Sequence, residues 1–341
     1  MSDTIGADRP ADQSTTQPFV RPDVAQFLHY LNGLPGPKTH EMQPGEARAL
    51  FRATKDLADL PIGELATMAD LSIPGPAGAI PARLFDARAS REPGPAVVFY
   101  HGGGFVIGDL DTHAAFCAEV ARTLDLPVVS VGYRLAPEHR WPAAPDDCEA
   151  AARWVAESPA ELGRKVTGLV LCGDSAGGTL TIIASRDLRD LPAAVPVIVH
   201  APIYPVADMD REHPSGVEFA EGYLLTRKAM TWFADAYAAD LSHARASPLA
   251  GNLSGMPPAV VVTASLDPIR DQGRVYAGAL VVAGVPVVFR EAAGTIHGFV
   301  TLRRAVPSAA GDVAGLLAAL KAVIAEAEGA RVQRQAAGGV A

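Results

Sequence analysis

The feature that most constrains the fold of this chain is a repeated alternation of short apolar segments with segments of helical periodicity. The apolar segments are rich in β-branched residues and nearly continuous in hydrophobicity, which is typical of parallel strands covered on both faces. This alternation predicts an α/β fold with a mostly parallel, doubly wound sheet. The predicted strands span residues 96–100, 128–133, 169–172, 197–203, 259–265 and 285–290, and the predicted helices span 113–124, 147–157, 175–186, 270–282 and 309–328.

Segments outside this alternation divide the chain further. The N-terminal residues are rich in Asp, Ser, Thr, Gln and Pro, and two amphipathic helical patterns and a strand pair follow them. One later connection is too long for a simple crossover and has a helical pattern of its own, so we interpret it as an inserted cap. The predicted division is a disordered N-terminus (1–18), N-terminal cap helices (19–60), the sheet domain (61–204 and 248–328), a cap insertion (205–247) and a flexible tail (329–341).

The composition argues against several partners and compartments. The 341 residues include 29 Lys and Arg against 38 Asp and Glu, and this net charge of −9 argues against a nucleic-acid partner, which would require cationic side chains. Cys117, Cys148 and Cys172 are too few and too scattered for a disulfide framework or a zinc cage, so we expect reduced thiols. The chain lacks an apolar run of about 18 residues and the basic and apolar regions of a secretory signal. We therefore expect a cytoplasmic protein without membrane insertion.

The segment Gly173-Asp174-Ser175-Ala176-Gly177-Gly178 lies between a predicted strand and a predicted helix. The pattern Gly-x-Ser-x-Gly at such a junction is typical of a nucleophile elbow, in which a strained turn exposes the serine hydroxyl. The dipole of the following helix favours negative charge that develops nearby. A glycine-rich turn with a capping serine is the simpler alternative.

A second glycine-rich loop, His101-Gly102-Gly103-Gly104, follows the predicted strand 96–100. Glycines at a strand end let backbone N–H groups approach a ligand that side chains would block. The N–H groups of Gly103 and Gly104, together with that of Ala176, are candidates to bind an oxyanion. A dinucleotide-binding loop is disfavoured, because the glycines do not have the G-x-G-x-x-G spacing.

Two further polar residues follow predicted strands. Asp267 lies at the end of 259–265, and His297 lies in a glycine-flanked loop after 285–290, while Asp271 is expected to support its loop. Because ligands of open α/β sheets bind at the carboxyl ends of strands, we expect Ser175, Asp267 and His297 to meet there. Their order, Ser…Asp…His, is that of α/β-hydrolases.

With these motifs the sequence resembles the hormone-sensitive lipase-like family of α/β-hydrolases, the bacterial family IV esterases. Other matching stretches are Tyr133-Arg134-Leu135-Ala136-Pro137-Glu138, His297-Gly298-Phe299 and Glu221-Gly222-Tyr223-Leu224-Leu225-Thr226. The resemblance implies an α/β-hydrolase catalytic domain with a helical cap, and hydrolysis of short- to medium-chain carboxylic esters without metal or organic cofactor. It assigns Ser175, Asp267 and His297 to the catalytic triad and allows a homodimer.

Several alternatives remain open at this point. An amidase or lactonase would use the same triad, and a non-catalytic small-molecule-binding protein would share the fold. We expect the stretch 133–138 to be a loop held by its charges, Arg134 and Glu138, rather than a substrate contact. Asp109, Asp111 and His113 have a loose metal-like spacing, but a helix entry capped by Asp111 or Thr112 is the better interpretation.

Overall fold

The computed structural model describes residues 17–338 and has an eight-stranded sheet at its centre. The sheet order is β1-β2-β4-β3-β5-β6-β7-β8; β2 pairs antiparallel with β1 and β4, and the remaining pairs are parallel. This confirms the predicted, mostly parallel sheet. The strands are β1 Thr67–Gly75, β2 Gly78–Asp86, β3 Gly94–Tyr100, β4 Val128–Val131, β5 Val166–Asp174, β6 Val197–Ile203, β7 Ala259–Leu266 and β8 Val287–Ile296.

Helices cover both faces of the sheet because the side chains of its central strands are apolar in both directions. In β3, Val97 and Phe99 pack with α1, α3 and α9, whereas Val98 and Tyr100 pack with α4 and α5 on the opposite face. Helix α8 packs on the same side as α5. The helices are α1 Pro22–Gly33, α2 Pro44–Ala58, α3 Ala114–Leu124, α4 Ala143–Ala156, α5 Ala176–Asp190, α6 Pro214–Glu218, α7 Arg227–Tyr237, α8 Arg270–Val282 and α9 Ala309–Gly338.

Some element boundaries differ from the sequence predictions. Strand β4 ends at Val131 rather than at 133, and α4 begins at Ala143 rather than at 147. Pro142 is the N-cap residue of α4 and Pro145 lies in its first turn, where proline is tolerated. Helix α9 continues to Gly338, past the predicted end at 328. The predicted disorder of residues 1–18 lies, except for residues 17 and 18, outside the described residues.

Strand β8 is the largest difference, because it extends to Ile296 although a loop was predicted after residue 290. The strand contains a bulge: β7 advances two residues from Ala264 to Leu266, while the paired β8 advances four, from Ala292 to Ile296. Gly294 lies inside this bulge with a φ of 73°. Asp267 and His297 follow directly after the paired residues Leu266 and Ile296, so the bulge brings them side by side.

The two N-terminal helices are attached to the C-terminal part of the chain by charged side chains. Arg21 pairs with Asp312 at the start of α9. Asp59, directly after α2, forms a bidentate pair with Arg303, and both side chains are buried. None of the helices within residues 17–338 combines the length and apolar character that crossing a bilayer requires.

Candidate active site

Ser175 occupies a sharp turn between the end of β5 and the start of α5. Its φ of 53° and ψ of −120° are strained for a residue with a side chain, and its N–H donates to the carbonyl of Ile203 at 2.8 Å. A Cβ on Gly173 would lie within 2.6 Å of three backbone atoms, and one on Gly177 within 2.7 Å of three more. Glycine is therefore required on both sides of Ser175, as the elbow motif predicts.

Ser175, His297 and Asp267 form one hydrogen-bonded series. His297 Nε2 lies 2.8 Å from Ser175 Oγ, and His297 Nδ1 lies 2.7 Å from Asp267 Oδ2. Asp267 is fully buried, and its other oxygen accepts the N–H of Ile269 at 2.9 Å. His297 lies in a turn after a strand, as predicted, but the strand ends at Ile296 rather than at 290, so the turn starts directly at the histidine. Asp271 supports its surroundings as expected, accepting the N–H of Ser215 at 2.9 Å.

The glycine-rich loop after β3 lies beside the same serine. Gly103 and Gly104 have φ values of 122° and 59°, which side-chain-bearing residues rarely adopt. Both line a cavity together with Ser175, Ala176 and His297. Among residues 17–338, no acceptor takes the N–H of Gly103 or Gly104, so both donors are available to a ligand.

The cavity has a volume of about 1370 Å³, and its surface is mostly apolar. Its floor includes Ser175 and the glycine-rich loop. The walls include side chains from both predicted cap segments, residues 19–60 and 205–247. Phe233 of α7 lies directly against Gly104, and Leu224 lies near Gly298, beside His297. A site of this size and polarity suits an apolar small molecule with one reactive polar group.

Comparisons with known proteins agree with this geometry. The family model described as alpha/beta hydrolase fold matches residues 97–301, more than half of the chain. The esterase LipI of Mycobacterium tuberculosis is 38% identical over 283 residues, which cover 81% of this chain and 88% of that protein. An ethyl acetate hydrolase of Pseudomonas putida is 36% identical over 295 residues, covering 83% and 92%.

The chain belongs to the hormone-sensitive lipase-like carboxylesterase family of α/β-hydrolases. Among solved structures it is similar to a hyperthermophilic esterase from the archaeon Pyrobaculum calidifontis. That likeness has a TM-score of 0.82 and 36% sequence identity, and it covers 89% of this chain and 98% of the other. Sequence and backbone therefore lead to the same family.

One acidic residue of this family member was missed as a functional residue by the sequence interpretation. Asp174, next to Ser175, is fully buried and accepts the N–H of Gly102 at 2.8 Å, while His113 Nε2 lies 3.2 Å from the same oxygen. Burial alone would raise the pKa of the Asp174 carboxyl, but His113 and the Gly102 N–H hold it below its usual value. Asp174 thus joins the serine turn to the glycine-rich loop.

His101, the first residue of the glycine-rich loop, is kept neutral by its surroundings. Burial, reinforced by the neighbouring His113, lowers the pKa of His101 to about 4. Its ring stacks on Tyr133 at a centroid distance of 4.3 Å, and its carbonyl accepts the Tyr133 hydroxyl at 2.7 Å. His101 therefore packs beneath the loop as an uncharged ring.

The structure identifies the partners of the two charges in the stretch 133–138. Arg134 forms a bidentate pair with the buried carboxylate of Asp147, with distances of 2.9 and 2.8 Å. Glu138 pairs with Arg48 of α2 at 2.8 and 2.6 Å. The loop is held by charges as predicted, and one of those charges comes from the N-terminal cap segment.

The prediction that Asp111 or Thr112 caps α3 was wrong. Neither Asp111 nor Thr112 caps the helix by its side chain, because α3 begins after His113. Instead Asp109 Oδ1 accepts the N–H groups of Asp111 and Thr112 at 3.0 and 2.9 Å, which closes the turn before the helix. Asp109 and Asp111 also pair with Arg52 and Arg83, as surface carboxylates commonly do.

Proposed function

We propose that this chain is a serine carboxylesterase that hydrolyses short- to medium-chain carboxylic esters through an acyl-enzyme on Ser175. The observation that carries the proposal is the hydrogen-bonded series from Ser175 through His297 to Asp267, placed at the floor of an apolar cavity. A serine, a histidine and a carboxylate in this arrangement supply a nucleophile, a general base and a group that orients the base.

Acylation of Ser175 follows from the two distances to His297. With Nδ1–H donating to Asp267, the free Nε2 accepts the proton of Ser175 Oγ while Oγ bonds to the ester carbonyl carbon. The protonated imidazole, stabilised by Asp267, then gives this proton to the alcohol oxygen as its bond to carbon breaks. Alcohol leaves, and the acyl group remains on Ser175. Water deprotonated by His297 hydrolyses this acyl-enzyme by the same steps.

The negative oxygen of each tetrahedral intermediate is assigned to the N–H groups of Gly103, Gly104 and Ala176. Two observations support this assignment. The N–H groups of the two glycines are available, and Ala176 is the first residue of α5. The positive end of the α5 dipole adds to the stabilisation. One such preorganised donor is worth about 3–4 kcal/mol of transition-state stabilisation.

The test is turnover of p-nitrophenyl esters of increasing acyl length by the wild-type chain and by Ser175→Ala. We expect activity on short and medium chains and a loss of at least about a thousandfold in Ser175→Ala. Exposed Ser254→Ala is a matched control that should retain wild-type turnover. Retention of a tenth of the activity in folded Ser175→Ala would refute the nucleophile assignment.

A substrate panel separates the alternatives. Matched esters and amides of the same acyl group distinguish an esterase from an amidase, and cyclic esters reveal a lactonase. A non-catalytic binding protein would turn over none of them, and a fluorophosphonate would leave Ser175 unlabelled. We expect labelling at Ser175 and a kcat/KM for esters well above that for amides.

The domain division and the cellular context also remain proposals. Residues 19–60 and 205–247 are proposed to form the cap, which is supported by their shared contribution to the cavity wall. A cytoplasmic location is supported by three buried free thiols, which suit a reducing compartment. The family resemblance allows a homodimer, and light scattering at several protein concentrations would test this assembly.

A further inference from the structure

The glycine-rich loop has backbone conformations that side-chain-bearing residues rarely adopt, and contacts from outside the loop hold it. We call residues 102–109 the oxyanion loop. In addition to Gly103 and Gly104, Phe105 and Gly108 have positive φ values, 63° and 85°. Phe105 carries a side chain and is strained at this φ, and such strain persists only when surrounding contacts determine it. The glycines are not strained, but their conformational freedom must be restricted if the loop is to keep one shape. Asp174 supplies such a contact on the sheet side, through the N–H of Gly102.

On the opposite side, Arg48 of α2 holds the middle of the loop. Its Nε donates to the carbonyl of Val106 at 2.7 Å, and its Nη2 donates to the carbonyl of Ala136 at 2.7 Å. Ala136 in turn donates its N–H to the carbonyl of Phe105 at 2.9 Å. The pairing with Arg48 also lowers the pKa of Glu138 to about 2, so this ion pair stays charged at neutral pH.

One helical turn further along α2, Arg52 holds the end of the loop. Its Nε donates to Asp109 Oδ2 at 2.7 Å, and the other oxygen of Asp109 closes the turn that follows. Arg48 and Arg52 are four residues apart and so project from the same face of the helix. Among residues 17–338 the cavity lining includes neither arginine. Their contacts are with the loop and with the neighbouring stretch 133–138, and not with the space that substrate would fill.

We propose that Arg48 and Arg52 are positioning residues for the oxyanion loop, so that the N-terminal cap segment controls kcat as well as enclosing the substrate. This inference rests on the proposed esterase function. Donors to an oxyanion must lie about 2.7–3.1 Å from it, and a misplacement of about 1 Å costs as much as a hundredfold in rate. Because the arginines hold the loop and do not line the cavity, their loss acts mainly on the transition state.

The decisive variant is Arg48→Met, which keeps the length of the side chain and removes its hydrogen bonds. We expect kcat for p-nitrophenyl butyrate to fall about tenfold or more, with KM changed by less than about threefold. Glu138→Gln is the matched control, since it removes the charged partner and leaves the bonds from Arg48 to Val106 and Ala136 in place. It should keep kcat within about twofold of the wild type.

Two further variants extend the test. Arg48→Lys retains the charge but lacks the planar fork that reaches two carbonyls, so it should recover only part of kcat. Arg52→Gln should lower kcat less than Arg48→Met, because the Arg52 side chain is 55% exposed against 24% for Arg48. If Arg48→Met fails to fold, the inference is tested by Arg52→Gln alone. A kcat of Arg52→Gln equal to that of the wild type would then overturn it.

Binding of a trifluoromethyl ketone provides a readout that a merely structural role would not change. Ser175 Oγ adds to its carbonyl carbon, the serine proton passes to His297, and the resulting alkoxide occupies the oxyanion site. Its Ki should rise by the same factor as kcat falls in Arg48→Met, while the Ki of the corresponding unfluorinated ketone stays nearly constant.

The outcomes separate the two proposals. A wild-type chain without esterase activity, or an active Ser175→Ala, would refute the proposed function. An active wild type whose folded Arg48→Met variant keeps its kcat, or loses no more than Glu138→Gln does, would overturn the positioning role alone.

Discussion

Replacing Gly104 with alanine should lower kcat/KM by about 10- to 100-fold, and adding Phe233→Ala should restore most of the loss. The added Cβ would lie within 2.8 Å of three ring atoms of Phe233. Carbon atoms in favourable contact are about 3.5–4.0 Å apart, so either the ring or the loop must retreat by roughly 1 Å. The ring belongs to α7 of the cap insertion, and the loop holds two of the proposed oxyanion donors.

The expected loss of activity in Gly104→Ala has a backbone contribution and a steric contribution. Alanine at the φ of 59° costs about 1 kcal/mol relative to glycine, and inserting a methyl group into an occupied space typically costs about 1–3 kcal/mol. Each 1.36 kcal/mol that falls on the transition state is a factor of about ten in rate. Phe233→Ala removes the steric part and leaves the backbone part, so Gly104→Ala should lower rate by tenfold or less in that background.

A double-mutant cycle on kcat/KM for a short p-nitrophenyl ester, with the Tm of every variant, measures the effect. We expect a coupling of at least about 1 kcal/mol in the restoring direction. Gly278→Ala is the control, since a Cβ there meets no atom within 4 Å and should leave activity unchanged. Independent effects that simply multiply, or wild-type activity in Gly104→Ala, would refute this steric explanation.

Three other changes test parts of the fold. Gly177→Ala would place a Cβ within 2.7 Å of three backbone atoms at the end of β3, so we expect a large loss of Tm and soluble yield; a Tm within a few degrees of wild type would contradict this. Asp59→Asn leaves the buried Arg303 unpaired and should cost about 3–5 kcal/mol in urea unfolding, whereas a loss below about 1 kcal/mol would show that the pair is dispensable. Burial lowers the pKa of His200 to about 4. As pH falls from about 6.5 to 4, the unfolded chain therefore takes up a proton that the folded chain does not, and the free energy of unfolding should fall by up to about 1.36 kcal/mol per pH unit. His200→Gln should remove that part of the pH dependence in urea titrations.

The central strands could be predicted because both of their faces are buried. Residues 96–100 and 169–172 are continuously apolar, and no other element suits that pattern in so short a segment. The second half of β8 could not be predicted in this way. It lies at a sheet edge, contains Glu291 and Gly294, and owes its strand conformation to pairing with β7. Edge strands with one face toward solvent carry a weaker apolar signal.

The convergence of Ser175, Asp267 and His297 was predictable because each follows a strand and the carboxyl ends of parallel strands share one edge. The side chains that hold the oxyanion loop could not be predicted in this way. Arg48 reaches Val106 across 58 residues of sequence, and Asp174 reaches Gly102 across 72. Two arginines on an amphipathic helix look like an ordinary solvated face until the loop is folded against them. For Asp174 a signal existed, since a carboxylate at the end of an apolar strand needs a buried partner.

The bulge in β8 restricts the number of residues between Ala292 and His297 as well as the identity of Gly294. The alternation of side chains between the two faces of a strand is interrupted at Gly294, so the length of the bulge sets the position of His297 along the strand. We therefore expect an insertion or deletion between Ala292 and Ile296 to shift the histidine relative to Asp267. The side chain of Ala293 is free to vary because it is exposed.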